Sequence, residues 1–406
     1  MIGMELTDTQ RMVQEYAHQL AVEEMRPISL ECDRTEQIPE TYFWRMKRRA
    51  PGGAEGLVSL AGRGTGGDKG REEIARDEAQ GAFLSVLVNE EMAWGDAALS
   101  TAIPGPGLAY PPIRSFGSPE QQRRFLSIYQ DEGLHWGALA LSEPGVGSDV
   151  ASIATTATLD GDEYVLNGTK HYITNGARAD LVIVFATVDK RLGRAGIKPF
   201  VVPRGAPGFL VGRIEKKMGL RASQTAELIF DHCRIPKDNL LAGSDRDRAG
   251  GFKAAMGTLD ATRPMVGALG TGIARAAYEM VSEWVRQELP RGYPFRRRHL
   301  LDDELATLGH EIDAARLLVW RAAWMADQRM PNSKEASMAK AYAGALVMRV
   351  TAAAVRIMAP AEPGPPKWFV EKWFRDAKVF DIFEGTAQIQ RVVISRRLFG
   401  EMAAQE

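Results

Sequence analysis

The chain of 406 residues sets 51 Lys and Arg against 52 Asp and Glu, and 45% of it is hydrophobic. That length suits two or three packed domains, and the near-zero net charge supplies neither a basic face for nucleic acid nor an acidic tail. The two cysteines, Cys32 and Cys233, cannot build a disulfide framework and fit a reducing cytoplasm. Glu5 and Asp8 lie where a secretory leader would be basic and then apolar, so no signal is expected. No window reaches about eighteen uninterrupted apolar residues, so no membrane span is expected.

Residues 1–133 read as a helical domain. Thr7 and Gln10 make a capping-box pattern ahead of a helix with Val13, Ala17 and Leu20 on one face. A second helix is expected over Tyr42 to Arg49. The glycine-rich run from Ala50 to Gly70 lacks the Gly-Lys-Ser/Thr ending of a phosphate loop and reads as a mobile loop. Helical pattern resumes near Arg71, is interrupted by Pro104, Pro106, Pro111 and Pro112, and restarts at Ser118-Pro119-Glu120.

From 134 to 243 the period changes to two. Strands are expected at Ala138–Leu141, Thr155–Leu159, Glu163–Leu166, Leu181–Ala186, Lys198–Val202 and Glu227–Phe230, with turns at Asp160-Gly161 and Asn167-Gly168 and a turn or hairpin at Asn175-Gly176. Residues 244–406 are helical again. Met265, Leu269, Ile273, Met280 and Trp284 mark one apolar stripe, and Leu301, Leu305, Leu308, Ile312, Ala315 and Val319 the next. A third helix runs from Lys334 to Met358 and a fourth follows Phe383, so this part reads as a four-helix bundle.

Two stretches carry chemistry. LSEPGVGSD, from Leu141 to Asp149, packs glycines among hydroxyl and carboxylate residues and suits a turn that approaches a ligand closely. YITNG follows, from Tyr172 to Gly176. In IFEGTAQIQ, Glu384 sits between Phe383 and Gly385, where burial would raise its proton affinity toward that of a general base; a carboxylate favoured by a helix start is the plainer alternative.

Read together, LSEPGVGSD, YITNG, KMGLRAS and IFEGTAQIQ, in that order between helical segments, resemble the acyl-CoA dehydrogenase family across nearly the whole chain. EEMAWGDAALSTAI and TLDATRPMVGALG resemble its medium-chain branch. The resemblance implies a mainly α fold with a central β-barrel domain between an N-terminal helical domain and a C-terminal four-helix bundle. It implies FAD, an acyl-CoA substrate, an electron-transfer flavoprotein as partner and a homotetramer, or a hetero-oligomer with the same cofactor-sharing interface.

The implied roles can be set out by residue. Glu384 would be the catalytic base, removing the α-proton of the thioester while the β-hydrogen leaves as hydride to the flavin, to give a trans-2-enoyl-CoA. The thioester oxygen would take hydrogen bonds from the Glu384 backbone amide and a ribityl hydroxyl. Leu141, Ser142, Ser148, Tyr172, Thr174, Thr386 and Gln388 match flavin contacts; Tyr172 replaces the tryptophan frequent in relatives. Ser148, Asp260, Arg263, Ser100, Pro104, Phe383 and Gly385 match positions near the acyl-CoA. Whether the carrier is CoA or a carrier protein stays open, as does chain length.

The chain departs from the family pattern in two regions that usually hold the cofactor of a neighbouring subunit. Within residues 286–299, Glu288 and Arg291 stand where arginine and phenylalanine belong, and Ala359-Pro360, within 356–366, replaces paired glycines. Proline there removes an amide donor. These departures motivate an alternative, a cofactor-poor scaffolding subunit. An oxidase or monooxygenase of the same fold is a further one, the latter opposed by Glu384. Gly267, Gly270 and Gly272 lie in a helical pattern without a preceding strand and do not make a dinucleotide fingerprint. Asp231-His232-Cys233 reads as a strand-end triplet, not a metal site.

Overall fold

Thr7 opens the first helix as its spacing predicts. Its hydroxyl accepts from the Gln10 amide while Gln10 accepts from the Thr7 N–H at 2.9 Å. The computed structural model describes residues 5–50, 81–241, 250–287 and 295–403. The glycine-rich run beyond Ala50, the helical restart near Arg71 and the Glu288 and Arg291 positions lie outside the described residues.

Helix α1 (Asp8–Leu20) buries Val13, Ala17 and Leu20 and continues through a π turn, Ala21–Met25, into α2 (Arg26–Thr35). α2 has no counterpart in the sequence reading; Pro27 sits in its first turn, where the missing N–H is harmless. After α3 (Glu40–Arg49) comes α4 (Gly81–Thr101), bent at Asp96, whose φ of −168° and ψ of 117° are not helical. Pro111 and Pro112 begin a short helix, α5 (Tyr110–Phe116), and Ser118 caps α6 (Pro119–Leu126).

A curled seven-stranded sheet forms the middle layer: β1 (Gly137–Ala140), β2 (Thr156–Asp160), β3 (Glu163–Thr174), β4 (Leu181–Thr187), β5 (Ile197–Pro203), β6 (Phe209–Ile214) and β7 (Thr225–Pro236). Its order is β1-β4-β2-β3-β7-β6, with β5 antiparallel to β4. β4 is apolar from Leu181 to Ala186 because both of its faces are covered. Val182, Val184 and Ala186 point into one core with Leu166, Phe200 and Leu228, while Leu181, Ile183 and Phe185 meet Ile113 of α5 and Phe125 of α6.

One turn expectation needs correction, and another resolves to one of its two alternatives. Asn167-Gly168 is no turn: β3 runs on through it to Thr174, with a register shift against β7 between Leu166 and Gly168, so a bulge absorbs the irregularity. Asn175-Gly176 is a turn but not a hairpin, since β3 pairs with β2 and β7 and not with β4. Strand β6 also escaped the reading, because Phe-Leu-Val-Gly-Arg-Ile does not alternate cleanly.

The C-terminal part is built from α7 (Gly250–Gln287), α8 (Phe295–Asp327), α9 (Ser333–Ile357) and α11 (Ala387–Ala403), with an additional helix, α10 (Pro365–Ala377), that the sequence reading missed. Two prolines in its first turn disguised it as loop. α7 is enclosed on more than its expected stripe, and a Cβ at Gly272 would stand 2.2 Å from the Glu90 carbonyl oxygen of α4. Gly272, and Gly267 with a Cβ position 2.8 Å from Val319 Cγ2, thus serve close helix contact. One hydrophobic core runs from Val13 and Leu20 through Met92, Ile273 and Val347 to Trp373 and Phe380, fusing both helical parts. Among the described residues one helix, α9, is long and apolar enough to cross a membrane, and over half of that stretch is buried against its neighbours.

Candidate active site

A short 3₁₀ turn, Lys378–Asp381, ends the run from α10 and delivers Ile382 to Thr386 across the bundle toward α11. Glu384 and Gly385 both take left-handed backbone, with φ of 56° and 95°. Such a conformation is strained for glutamate and is found where a site demands it. The reversal sets the Glu384 carboxylate on the Thr262 hydroxyl of α7, which donates to Oε2 at 2.8 Å; Thr262 itself is 3% exposed. Burial raises the proton affinity of Glu384 above the ordinary glutamate value, while the Thr262 hydrogen bond and the charges of Arg263 and Lys340 oppose that shift.

The backbone around the base is held from two sides. Lys340 of α9, 1% exposed, donates to the Gly385 carbonyl at 2.7 Å. Gln390, fully buried in the first turn of α11, donates to the carbonyls of Glu384 and Gly385 at 3.1 and 3.0 Å. Arg263 pairs with Asp260 at 2.5 Å, and Ser333 donates to the same oxygen at 3.2 Å. Phe383 packs edge-on against Phe380 at 5.1 Å. Thr386 accepts from the Ile389 N–H at the start of α11, and Gln388 is exposed on that helix. The sequence reading missed Thr262 and Lys340. Thr262 stands beside the Arg263 it did name, whereas Lys340 is one of four cations in α9, with Lys334, Arg349 and Arg356, and nothing in the sequence set it apart.

The second cluster lies at the end of β1 and along β3. The Ser142 carbonyl accepts from the His171 N–H at 2.9 Å, joining the two segments. Tyr172 has φ of 59° and is 64% exposed, its ring 4.1 Å from that of His171. Thr174 closes β3, half-buried, opposite Thr225. Ser148 is exposed on the loop between β1 and β2. The acid of this motif has a different task. Glu143 accepts from the Ala154 and Thr155 N–H groups at 2.6 and 2.9 Å and from the Lys170 ammonium at 2.8 Å, and Lys170 also donates to the Leu141 carbonyl at 3.0 Å. Lys170 is wholly buried, and burial pulls its pKa down to about 8 against the raising charge of Glu143. This buried pair staples the glycine loop to β3.

The third segment, Ser100 to Pro104, is half-buried at its start and buried at Pro104. Asn175 donates to the Thr101 carbonyl at 2.8 Å, the Thr101 hydroxyl donates to Ser223 at 3.0 Å, and Trp136 Nε1 donates to the Ala102 carbonyl at 2.9 Å. The Leu220 N–H in turn donates to Asp376 of α10 at 2.6 Å. The β layer, the end of α4 and the segment carrying the base therefore belong to one framework.

These residues fit a flavin on the evidence of Tyr172. An aromatic ring left 64% exposed on a left-handed residue forgoes both burial and backbone comfort, which a planar ring laid against it would recover. Ser142, Thr174 and Ser148 carry hydroxyls of the kind that its polar rim and phosphates would take. Between α9 and α10, Lys367 donates to the Ala359 and Ala361 carbonyls, each at 2.9 Å, so the Ala359-Pro360 turn is capped by a lysine of its own chain.

Three domain models of one family match in succession: the acyl-CoA dehydrogenase N-terminal domain over residues 7–130, the middle domain over 138–233 and the C-terminal domain over 249–399. Short-chain specific acyl-CoA dehydrogenase, mitochondrial, from Bos taurus is 35% identical over 404 residues, covering 98% of this chain and 91% of that one. Butyryl-CoA dehydrogenase from Megasphaera elsdenii has a similar solved structure, with a TM-score of 0.86 at 34% identity over 98% of this chain and 100% of its own. A structure described as the electron transferring flavoprotein of Acidaminococcus fermentans superposes with a TM-score of 0.83, at 34% identity over 98% of this chain and 99% of that one.

Proposed function

The chain belongs to the acyl-CoA dehydrogenase family, whose members use FAD, and we propose that Glu384 is its base for the α,β-dehydrogenation of a short acyl-CoA thioester. The observation that carries this reading is the Glu384 carboxylate, desolvated yet fixed by Thr262 at 2.8 Å. An exposed carboxylate is too weak a base for a thioester α-proton; burial strengthens it, and Thr262 fixes its direction. The Glu384 N–H would stabilise the charge developing on the thioester oxygen. FAD, when bound, supplies the hydride acceptor.

In this reading Tyr172 lies against the flavin, Leu141, Ser142, Ser148, Thr174, Thr386 and Gln388 contact its polar parts, and Asp260, Arg263, Ser100, Pro104, Phe383 and Gly385 border the substrate, with Ser148 touching both. The names of the relatives favour a short acyl chain and an electron-transfer flavoprotein as acceptor. We further assign a homotetramer in the cytoplasm, with domain boundaries at 133/134 and 243/244. The test is spectroscopic. Purified protein should be yellow or become so with added FAD, and butyryl-CoA should bleach it under nitrogen. Protein that stays colourless with FAD would support the scaffolding alternative, which the Lys367-capped turn favours. Peroxide formed in air would point to an oxidase.

A further inference from the structure

Lys340 and Gln390 do not belong to the flavin wall or to the acyl segment, yet both converge on the backbone of the base. A buried ammonium whose nearest acceptor is a neutral carbonyl is an expensive arrangement unless its charge acts elsewhere. Burial lowers the Lys340 pKa to about 8, and the charges of Asp381 and Glu384 support its protonated form. The groups facing the Glu384 carboxylate are Thr262 and Arg263 from α7 and Lys340 from α9; Arg263 is already engaged by Asp260. Asp381 bears on Lys340 from the 3₁₀ turn and lies 3.5 Å from Lys378. The side-chain amide of Gln390 fits so closely that a Cβ at Gly385 would stand 2.5 Å from its Nε2.

We propose that Lys340 and Gln390 are positioning residues for Glu384: together they lock the left-handed 384–385 peptides through their carbonyls, and Lys340 is also a countercharge that keeps the base ionised at neutral pH. The two tasks divide by chemistry. Gln390 is neutral and can only hold geometry; Lys340 holds geometry and supplies charge. The inference rests on Glu384 being the base.

The experiment uses the flavin-loaded protein and three variants, Lys340→Gln, Lys340→Arg and Gln390→Met, with two readouts. The first is the titration of the Glu384 carboxylate by ¹³C NMR of glutamate-labelled protein, its resonance assigned by its absence in Glu384→Gln. The second is the pH profile of flavin reduction by butyryl-CoA. Lys340→Gln keeps a donor and drops the charge. It should raise the Glu384 midpoint by about one pH unit, a tenfold gain in proton affinity, and carry the acid limb of the rate profile with it. Lys340→Arg should restore the midpoint. Gln390→Met should leave the midpoint in place and lower kcat by about tenfold or more with KM within about twofold, since a misplaced base is lost from the transition state alone. A Lys340→Gln midpoint within about 0.3 units of wild type, or a Gln390→Met kcat within about twofold, overturns the assignment. Should Lys340→Gln not fold, Lys340→Met takes its place with the same midpoint criterion, and the Gln390→Met split judges the geometric lock. If the wild type reduces no flavin with any acyl-CoA, the proposed reaction fails, whereas the NMR midpoints still judge the countercharge.

Discussion

Replacing Lys372 by methionine removes the cation between two buried carboxylates. Lys372 of α10, 2% exposed, lies 2.9 Å from Asp96 at the bend of α4 and 2.5 Å from Asp376. Asp96 also accepts from the Ser29 hydroxyl of α2 and the Leu99 N–H, and Asp376 from the Leu220 N–H. Breaking a buried pair from one side costs about 3–5 kcal/mol, because the remaining charge keeps its desolvation and loses its partner. With an m value of about 3 kcal/mol/M, the urea midpoint of Lys372→Met should fall by more than about 1 M. The deficit should also depend on pH. In the variant, one of the two aspartates must bind a proton in the folded state with an affinity above the unfolded value of about 3.9. A raised folded-state pKa contributes stability that is present below the unfolded value and lost as pH rises through the folded one. The variant should therefore be closest to wild type near pH 4 and fall behind toward pH 7. Adding Asp376→Asn should recover about half of the loss. A deficit below about 1 kcal/mol, or one that stays constant across that pH range, would refute the reasoning.

Glu384→Gln should retain fold and flavin while slowing flavin reduction by about 10²–10⁴ in stopped flow; near-normal reduction would remove Glu384 from the role of base. Because burial raises the Glu384 pKa, its ionisation opposes folding as pH rises through the folded value. Thermal melts should find Glu384→Gln more stable than wild type at pH 8 and equal to it below about pH 4. Gly272→Ala places a Cβ against the Glu90 carbonyl and should cost about 1–3 kcal/mol in urea unfolding. Tyr172→Ala should weaken flavin retention, read as the ratio of visible to 280 nm absorbance after gel filtration, with little change in melting temperature because the ring is mostly exposed.

What could be read from the sequence depended on periodicity and on clustered motifs. Val13, Ala17 and Leu20 repeat at helical spacing, and Leu181 to Ala186 is continuously apolar, so α1 and β4 were visible in advance. α2 and α10 were hidden because Pro27, Pro365 and Pro366 occupy first turns, where proline starts a helix as readily as it ends one. Glu384 was legible from its flanking residues. Thr262 and Lys340, which act on it, are separated from it by 122 and 44 positions and are brought to it only by the packing of α7 and α9. Glu143 was read with its loop as part of a ligand wall; its partner Lys170 could not be inferred, since the pairing needs the twist of β3 beneath that loop.

The Asp33–Arg375 bonds span 342 positions, and the Asp96–Lys372 pair ties the same two ends of the chain. A ribosome making this protein thus releases its first helices long before the cations that neutralise them exist. At about 5–20 residues per second, the nascent helices wait roughly 15–70 s with acidic side chains at what will be an interior seam. The amino-terminal third is unsuited to finish folding vectorially. Its completion is set by translation reaching α10, and a chain stopped short of that helix is the natural client of a holding chaperone.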